Sequence, residues 1–261
     1  MKKVRLLAAI HPNAGLEAIY RKRLEAAVKA MHDDVAREIE KLYAAKPPEM
    51  AGDESPAMAM RGLMARLGRK WLGKFDTLSQ ELADYFAKSS LQRTDAALKS
   101  ILRRGGFSVK FQMTREVNDI LQATIGENVS LIKSIASQHF TEIEGLVMRS
   151  VTAGRDLKSL ADGLQQRYKV TRHRAAFIAR DQNNKATANI NMARQTALGI
   201  TEGVWRHSRG GNHPRPDHVR FSGTKFSLKK GHDFGDGFGS VLPGQAINCR
   251  CTWSPIISAL A

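Results

Sequence analysis

Five side chains near the end of this chain are the ones whose types and spacing suit chemistry: His213, Asp217, His218, Cys249 and Cys251. Thiolate and imidazole are the soft ligands that zinc takes, and His213, His218, Cys249 and Cys251 together supply four of them. The spacing of the cysteines argues the other way. A stretch from Ile247 to Ile257 reads as one extended segment, in which Cys249 and Cys251 project to the same face and Arg250 to the opposite one. On a straight strand such a pair spreads its sulfurs, whereas zinc sites space their cysteines by two to four residues around a turn. The spacing therefore favours two buried, reduced thiols, histidines satisfied by backbone carbonyls, and no cofactor. A disulfide between residues two apart is disfavoured by its geometry. A second chemistry is open to His213, Asp217 and His218, since two imidazoles and a carboxylate could hold an ion and activate water in a metal-dependent nuclease. No catalytic motif or second carboxylate cluster accompanies them, so the expectation is a protein that is not an enzyme.

The elements that hold these residues are short. Val204–His207 reads as a strand running into the turn Arg209-Gly210-Gly211-Asn212, and Pro214 and Pro216 stiffen an extended segment that presents Asp217 and His218. Lys225–Leu228 reads as a second strand and Gly231–Gly239 as a glycine-rich loop, with Asp233 and Asp236 as turn residues. Trp205 and Trp253 are expected in the core of this small sheet.

Everything before that stretch is helical in pattern. Leu16, Ile19, Leu24, Val28, Met31, Val35, Ile39 and Leu42 form an apolar stripe from Gly15 to Tyr43, and Ala45–Pro56 reads as a loop. Met58, Met60 and Met64 precede a helical run through Ser100, which Arg103-Arg104-Gly105-Gly106 ends. Phe107, Val109, Phe111 and Met113 alternate, as in a brief strand or an extended connector. Thr114 caps a helical region that Gly126-Glu127-Asn128 is expected to break into a hairpin. A short helix up to Tyr168 and a longer one from Thr171 to Leu198, closed by Gly199, follow. The polar face of that last helix, Arg180, Asp181, Asn184, Lys185, Asn189 and Asn191, is expected to hydrogen-bond the glycine-rich loops beyond it.

Across 261 residues, 41 Lys and Arg against 25 Asp and Glu leave a net charge of +16. Such a field suits nucleic acid, an anionic surface or an acidic protein, with salt-sensitive attraction. Two cysteines exclude a disulfide scaffold, and no apolar run reaches the length of a membrane span. At the N-terminus Arg5 interrupts the apolar run and His11-Pro12 ends it too soon for a signal peptide, so the expectation is a protein used inside the cell.

Taken with their order and spacing, Ile178-Ala179-Arg180-Asp181-Gln182, Lys185, Ala186, Gly199-Ile200, Trp205, Arg215-Pro216-Asp217-His218, Gly223, Pro243 and Asn248-Cys249-Arg250-Cys251 resemble the phage Mu F-like family of head morphogenesis proteins, also called minor head or minor capsid proteins. The resemblance covers about the last hundred residues closely. It implies a low-copy protein of the virion head, or of the host cytoplasm during assembly, that associates with the portal and other procapsid components and in some members with DNA, non-specifically here through the basic surface. Family members with zinc-like character carry further cysteines after the tryptophan, where this chain has Arg209–His213. The expected fold is mainly α with a small C-terminal α+β domain: an N-terminal helical region over 1–113, a helical hairpin connector over 114–154, and a Mu F-like α+β domain over 155–261.

Overall fold

The computed structural model describes residues 4–45, 56–152, 157–211, 213–237 and 239–258. The fold is mainly α, with a few short antiparallel strands gathered in the C-terminal part. In order the elements are β1 (Val4–Leu6), α1 (Ala14–Ala45), α2 (Pro56–Arg104), α3 (Arg115–Thr152), α4 (Leu157–Ala197), β2 (Glu202–Arg206), α5 (Pro216–Arg220), β3 (Lys225–Ser227), β4 (His232–Asp233), β5 (Ser240–Val241) and β6 (Thr252–Ser258).

The residues cluster into two compact units. One comprises 1–17, 84–125 and 180–261, the other 18–83 and 126–179. Their limits fall inside the four long helices.

In the all-helical unit, α1 buries Tyr20, Leu24, Val28, Met31, Val35 and Ile39, a stripe of helical period. Tyr20 takes the inward place expected of Ile19, which is 43% exposed. Met60 and Met64 fill core while Met58 lies outside. Polar contacts fix the register of the segments: Asp34 accepts the Trp71 indole N–H at 2.8 Å and Lys70 Nζ at 2.6 Å, and Tyr20 donates to Asn128 Oδ1 at 2.7 Å.

Two expected breaks are absent. Helix α3 is continuous through Gly126-Glu127-Asn128, because Gly126 is exposed, a mid-helix glycine costs only about 1 kcal/mol, and buried Asn128 is held by Tyr20. The hairpin expected there is a single helix. Helix α4 likewise continues past Thr171, whose hydroxyl donates back to the Arg167 carbonyl at 2.9 Å inside the helix rather than capping a new one. The expected ends are where glycine demands them. Gly199 (φ 77°) closes α4 with Ile200 N–H bonding to the Gln195 carbonyl, and Gly106 (φ 89°) closes α2 in the same manner. Thr114 caps α3 through Val117 N–H at 3.3 Å.

The mixed unit is built on a four-stranded antiparallel sheet of order β1-β6-β2-β3. β1 was not expected: the basic N-terminal run pairs with the other end of the chain, Val4 opposite Ser258 and Leu6 opposite Ile256. β2 pairs with β6 so that Trp205 lies opposite Trp253. Gly203 is required here, since a Cβ would sit 2.7 Å from the Trp253 ring. One core holds Trp205, Phe226, Leu242, Cys249, Cys251 and Trp253, and a second holds Leu7, Ile10, Leu98, Ile101 and Leu102. Phe107, Val109 and Phe111 pack on the second core from an extended connector that joins no sheet. Below it, Arg194 of α4 grips Asp95 through Nε and Nη2, both at 2.8 Å, donates to the Gln112 carbonyl at 2.6 Å and lies over the Phe111 ring.

Candidate functional site

The end of α4 holds the loop that carries the cysteines. Asp181 Oδ1 accepts the Asn248 N–H at 2.6 Å, Arg180 Nε donates to Asn248 Oδ1 at 3.1 Å, and Asn184 Nδ2 donates to the Cys249 carbonyl at 2.8 Å. Gln245 Nε2 donates to Asn189 Oδ1 at 2.5 Å, and Lys185 pairs with Asp181 at 3.0 Å. Asp181 and Asn184 thus satisfy backbone of the loop, as expected of that face, while Arg180 and Asn189 meet its side chains. Asn191 turns inward instead, accepting Gln195 Nε2, while Gln195 Oε1 accepts the Trp253 indole N–H at 2.8 Å.

The loop itself is bent, which corrects the expectation of an extended Ile247–Ile257. Asn248 has φ 58° and Gly244 φ 91°, and β6 begins only at Thr252. Asparagine tolerates that region because its amide bonds locally. Cys249 and Cys251 therefore lie between a turn that ends at Asn248 and the start of β6, and their sulfurs are within 4.8 Å of each other rather than spread. A Cβ on Gly244 would lie 3.3 Å from the Asn184 and Cys251 carbonyls, so glycine lets the turn close.

His218 arrives from the other side. The segment after Pro214 is not extended throughout: Pro216 starts the short helix α5, proline being suited to a first helical position. Arg215 Nη1 donates to the Ile247 carbonyl at 3.0 Å, tying this segment to the cysteine loop. Gly223 (φ 92°) returns the chain, its N–H bonding to the Trp205 carbonyl at 2.8 Å. The result places His218 Nδ1 3.5 Å from Cys249 Sγ and 3.7 Å from Cys251 Sγ, all three residues buried.

Aromatic rings wall the triad. The fully buried Trp205 meets His218, Phe221, Phe226 and Phe234 edge-on at 5.2 to 5.6 Å, and His218 stacks on Phe234 at 4.4 Å. Phe234 and Phe221 carry no motif signal, and only the burial of Trp205 reveals them as a set.

The two cysteine side chains hydrogen-bond to one another. The hydrogen bond from Cys251 draws Cys249 down to about 4, against the opposing effect of burial, with His218 and the Gly244 N–H (3.4 Å from Sγ) assisting. The same bond, burial and the neighbouring charge push Cys251 up. Among the described residues, the buried His218 Nε2 has no hydrogen-bond partner, while the Trp205 side chain interacts with Cys251.

The triad opens on a pocket of about 690 Å³ lined also by Arg180, His207, His213, Arg215, Asn248 and Arg250. Arg250 thus faces the same pocket as the cysteines, not the opposite side. Among the described residues no aspartate or glutamate lines it. Asp217 is elsewhere engaged, paired with Arg220. The structure brings His218 together with Cys249 and Cys251; His213 and Asp217 do not join it in any group of three ligand atoms within 4.8 Å among the described residues.

These residues coincide with a family signature. Residues 141–254 match the sequence model of the family described as "Phage Mu protein F like protein". A protein of Haemophilus influenzae (strain ATCC 51907 / DSM 11121 / KW20 / Rd) described as "Uncharacterized protein" is 26% identical over 249 residues, covering 92% of this chain and 53% of the relative. The chain thus spans about half the length of that curated relative. No solved structure matches it. Among the described residues, no helix is long and apolar enough to cross a membrane.

Proposed function

We propose that this chain is a minor head protein of phage head morphogenesis, present in few copies, that associates with the portal and other procapsid components and contacts DNA non-specifically. The observation that carries the reading is the coincidence of the family match over 141–254 with the residues that build the terminal site, from Arg180 to Ser254. The net charge of +16 and a pocket lined by three arginines and no carboxylate among the described residues support the DNA contact. Its place is the virion head, and the host cytoplasm during assembly. The reading is of a structural and binding role, not a catalytic one: the alternative nuclease set of His213, Asp217 and His218 lacks convergence, with Asp217 turned to Arg220.

The test is deletion of the gene from a phage or inducible prophage that carries it, with quantitative proteomics of purified heads. The expected result is the protein in wild-type heads at a small fraction of the major capsid copy number, and few DNA-filled heads without it. Heads that lack the protein and package normally would overturn the reading. The DNA contact is read separately, as a binding constant that falls steeply between low and high salt through counterion release. An affinity indifferent to salt removes it.

A further inference from the structure

We propose that His218, Cys249 and Cys251 form a zinc site whose fourth position faces the basic pocket. Tetrahedral zinc with Zn–S of about 2.3 Å and Zn–N of about 2.0 Å sets its sulfur and nitrogen ligands roughly 3.5 Å apart. The observed His218 Nδ1 to sulfur separations are 3.5 and 3.7 Å, so both edges already have the length that one ion would impose. The ligand atoms all lie within 4.8 Å of one another, on three buried residues.

The surroundings fit a bound cation better than a dry pair of thiols. The Gly244 N–H donates to Cys249 Sγ at 3.4 Å, the kind of backbone contact that steadies a ligating thiolate. The buried Trp205 side chain hydrogen-bonds to Cys251, a contact that a metal-bound thiolate would keep. The ligands come from two segments more than thirty residues apart in sequence, and each is fixed independently, Cys249 by Asn184 and α5 by Pro216 and Arg215. Entry and the remaining coordination position would come from the pocket, where a water would complete the shell. Binding releases the thiol proton to solvent and leaves both sulfurs as thiolates, so no oxidant or reductant is needed. The inference is independent of the head-assembly reading and stands or falls without it.

The experiment uses the full chain, purified without chelator, with metal measured by plasma mass spectrometry and with cobalt exchanged for zinc. The expected result is about one zinc per chain, and with cobalt the thiolate charge-transfer and intense d–d bands of a tetrahedral sulfur site. Cys249→Ser with Cys251→Ser should abolish both, while His11→Ala leaves both intact. Should the serine variant fail to fold, the wild-type protein still decides, since zinc must slow native thiol labelling at least tenfold and chelator must restore it. Metal below a tenth of an equivalent after zinc loading, or labelling unchanged by zinc, overturns the proposal.

Discussion

Removing the Asp181 carboxylate tests whether α4 holds the cysteine turn. Its Oδ1 accepts the Asn248 N–H at 2.6 Å, and its Oδ2 pairs with Lys185 at 3.0 Å, on a side chain only 8% exposed. A hydrogen bond to a charged acceptor contributes about 1.5–3 kcal/mol. Asn248 itself is exposed, so the freed N–H recovers water and the loss falls toward the lower end, about 2 kcal/mol with the ion pair included. Asp181→Ala should therefore lower the melting temperature of its unit by roughly 4–8 °C, and Asp181→Asn, which keeps an acceptor, by about half as much. The same free energy, if it is lost from the loop, should raise the rate at which the thiols react with a labelling reagent by roughly thirtyfold. Calorimetry and native thiol labelling, both on metal-free protein, give the two readings. If Asp181→Ala melts within a degree of wild type and its thiols label no faster, α4 does not hold the loop and the reasoning fails.

Two further outcomes are expected. Asp95→Ala should cost about 3–5 kcal/mol in urea unfolding, because Arg194, 5% exposed, keeps the Gln112 carbonyl and the Phe111 ring but loses its counter-charge, whereas Asp95→Leu with Arg194→Met should recover most of it; equal losses would refute an unpaired buried charge as the cause. Burial, and then the charge of His32, lower His139 from 6.5 to about 4, so below pH 6.5 the unfolded chain binds a proton that the folded one refuses. Stability of the helical unit should thus fall by about 3 kcal/mol as pH drops from 6.5 to 4 and stay flat above, and His139→Gln should flatten that slope in urea midpoints measured across this range.

What could be read without a structure was whatever is written in local periodicity or in a residue with a single conformational use. The α1 stripe, the Thr114 cap and the closing glycines at 106 and 199 are of that kind. The breaks at Gly126 and Thr171 were misread because each local signal there is weak against a helix that already buries a long stripe on both sides. Asn248 was the decisive case. Its positive φ ends the turn that leads into Cys249 and Cys251, yet the flanking Ile247 and Ile257 read as extended. The aromatic wall of Phe221, Phe226 and Phe234 and the pairing of β1 with β6 depend on distant partners, which no window of sequence contains.

The marriage of β1 to β6 also sets a timetable. Residues 4–6 wait through the synthesis of some 250 others before residues 256–258 emerge to meet them, and contacts so distant along a chain form late and slowly. On the ribosome the helical segments can fold long before the sheet that backs the cysteine turn is assembled. A nascent or truncated chain would expose a bare strand edge at β2 or β1, open to pairing with a neighbour, so residues 252–258 supplied as a free peptide to a chain that lacks them are a simple means to trap that intermediate.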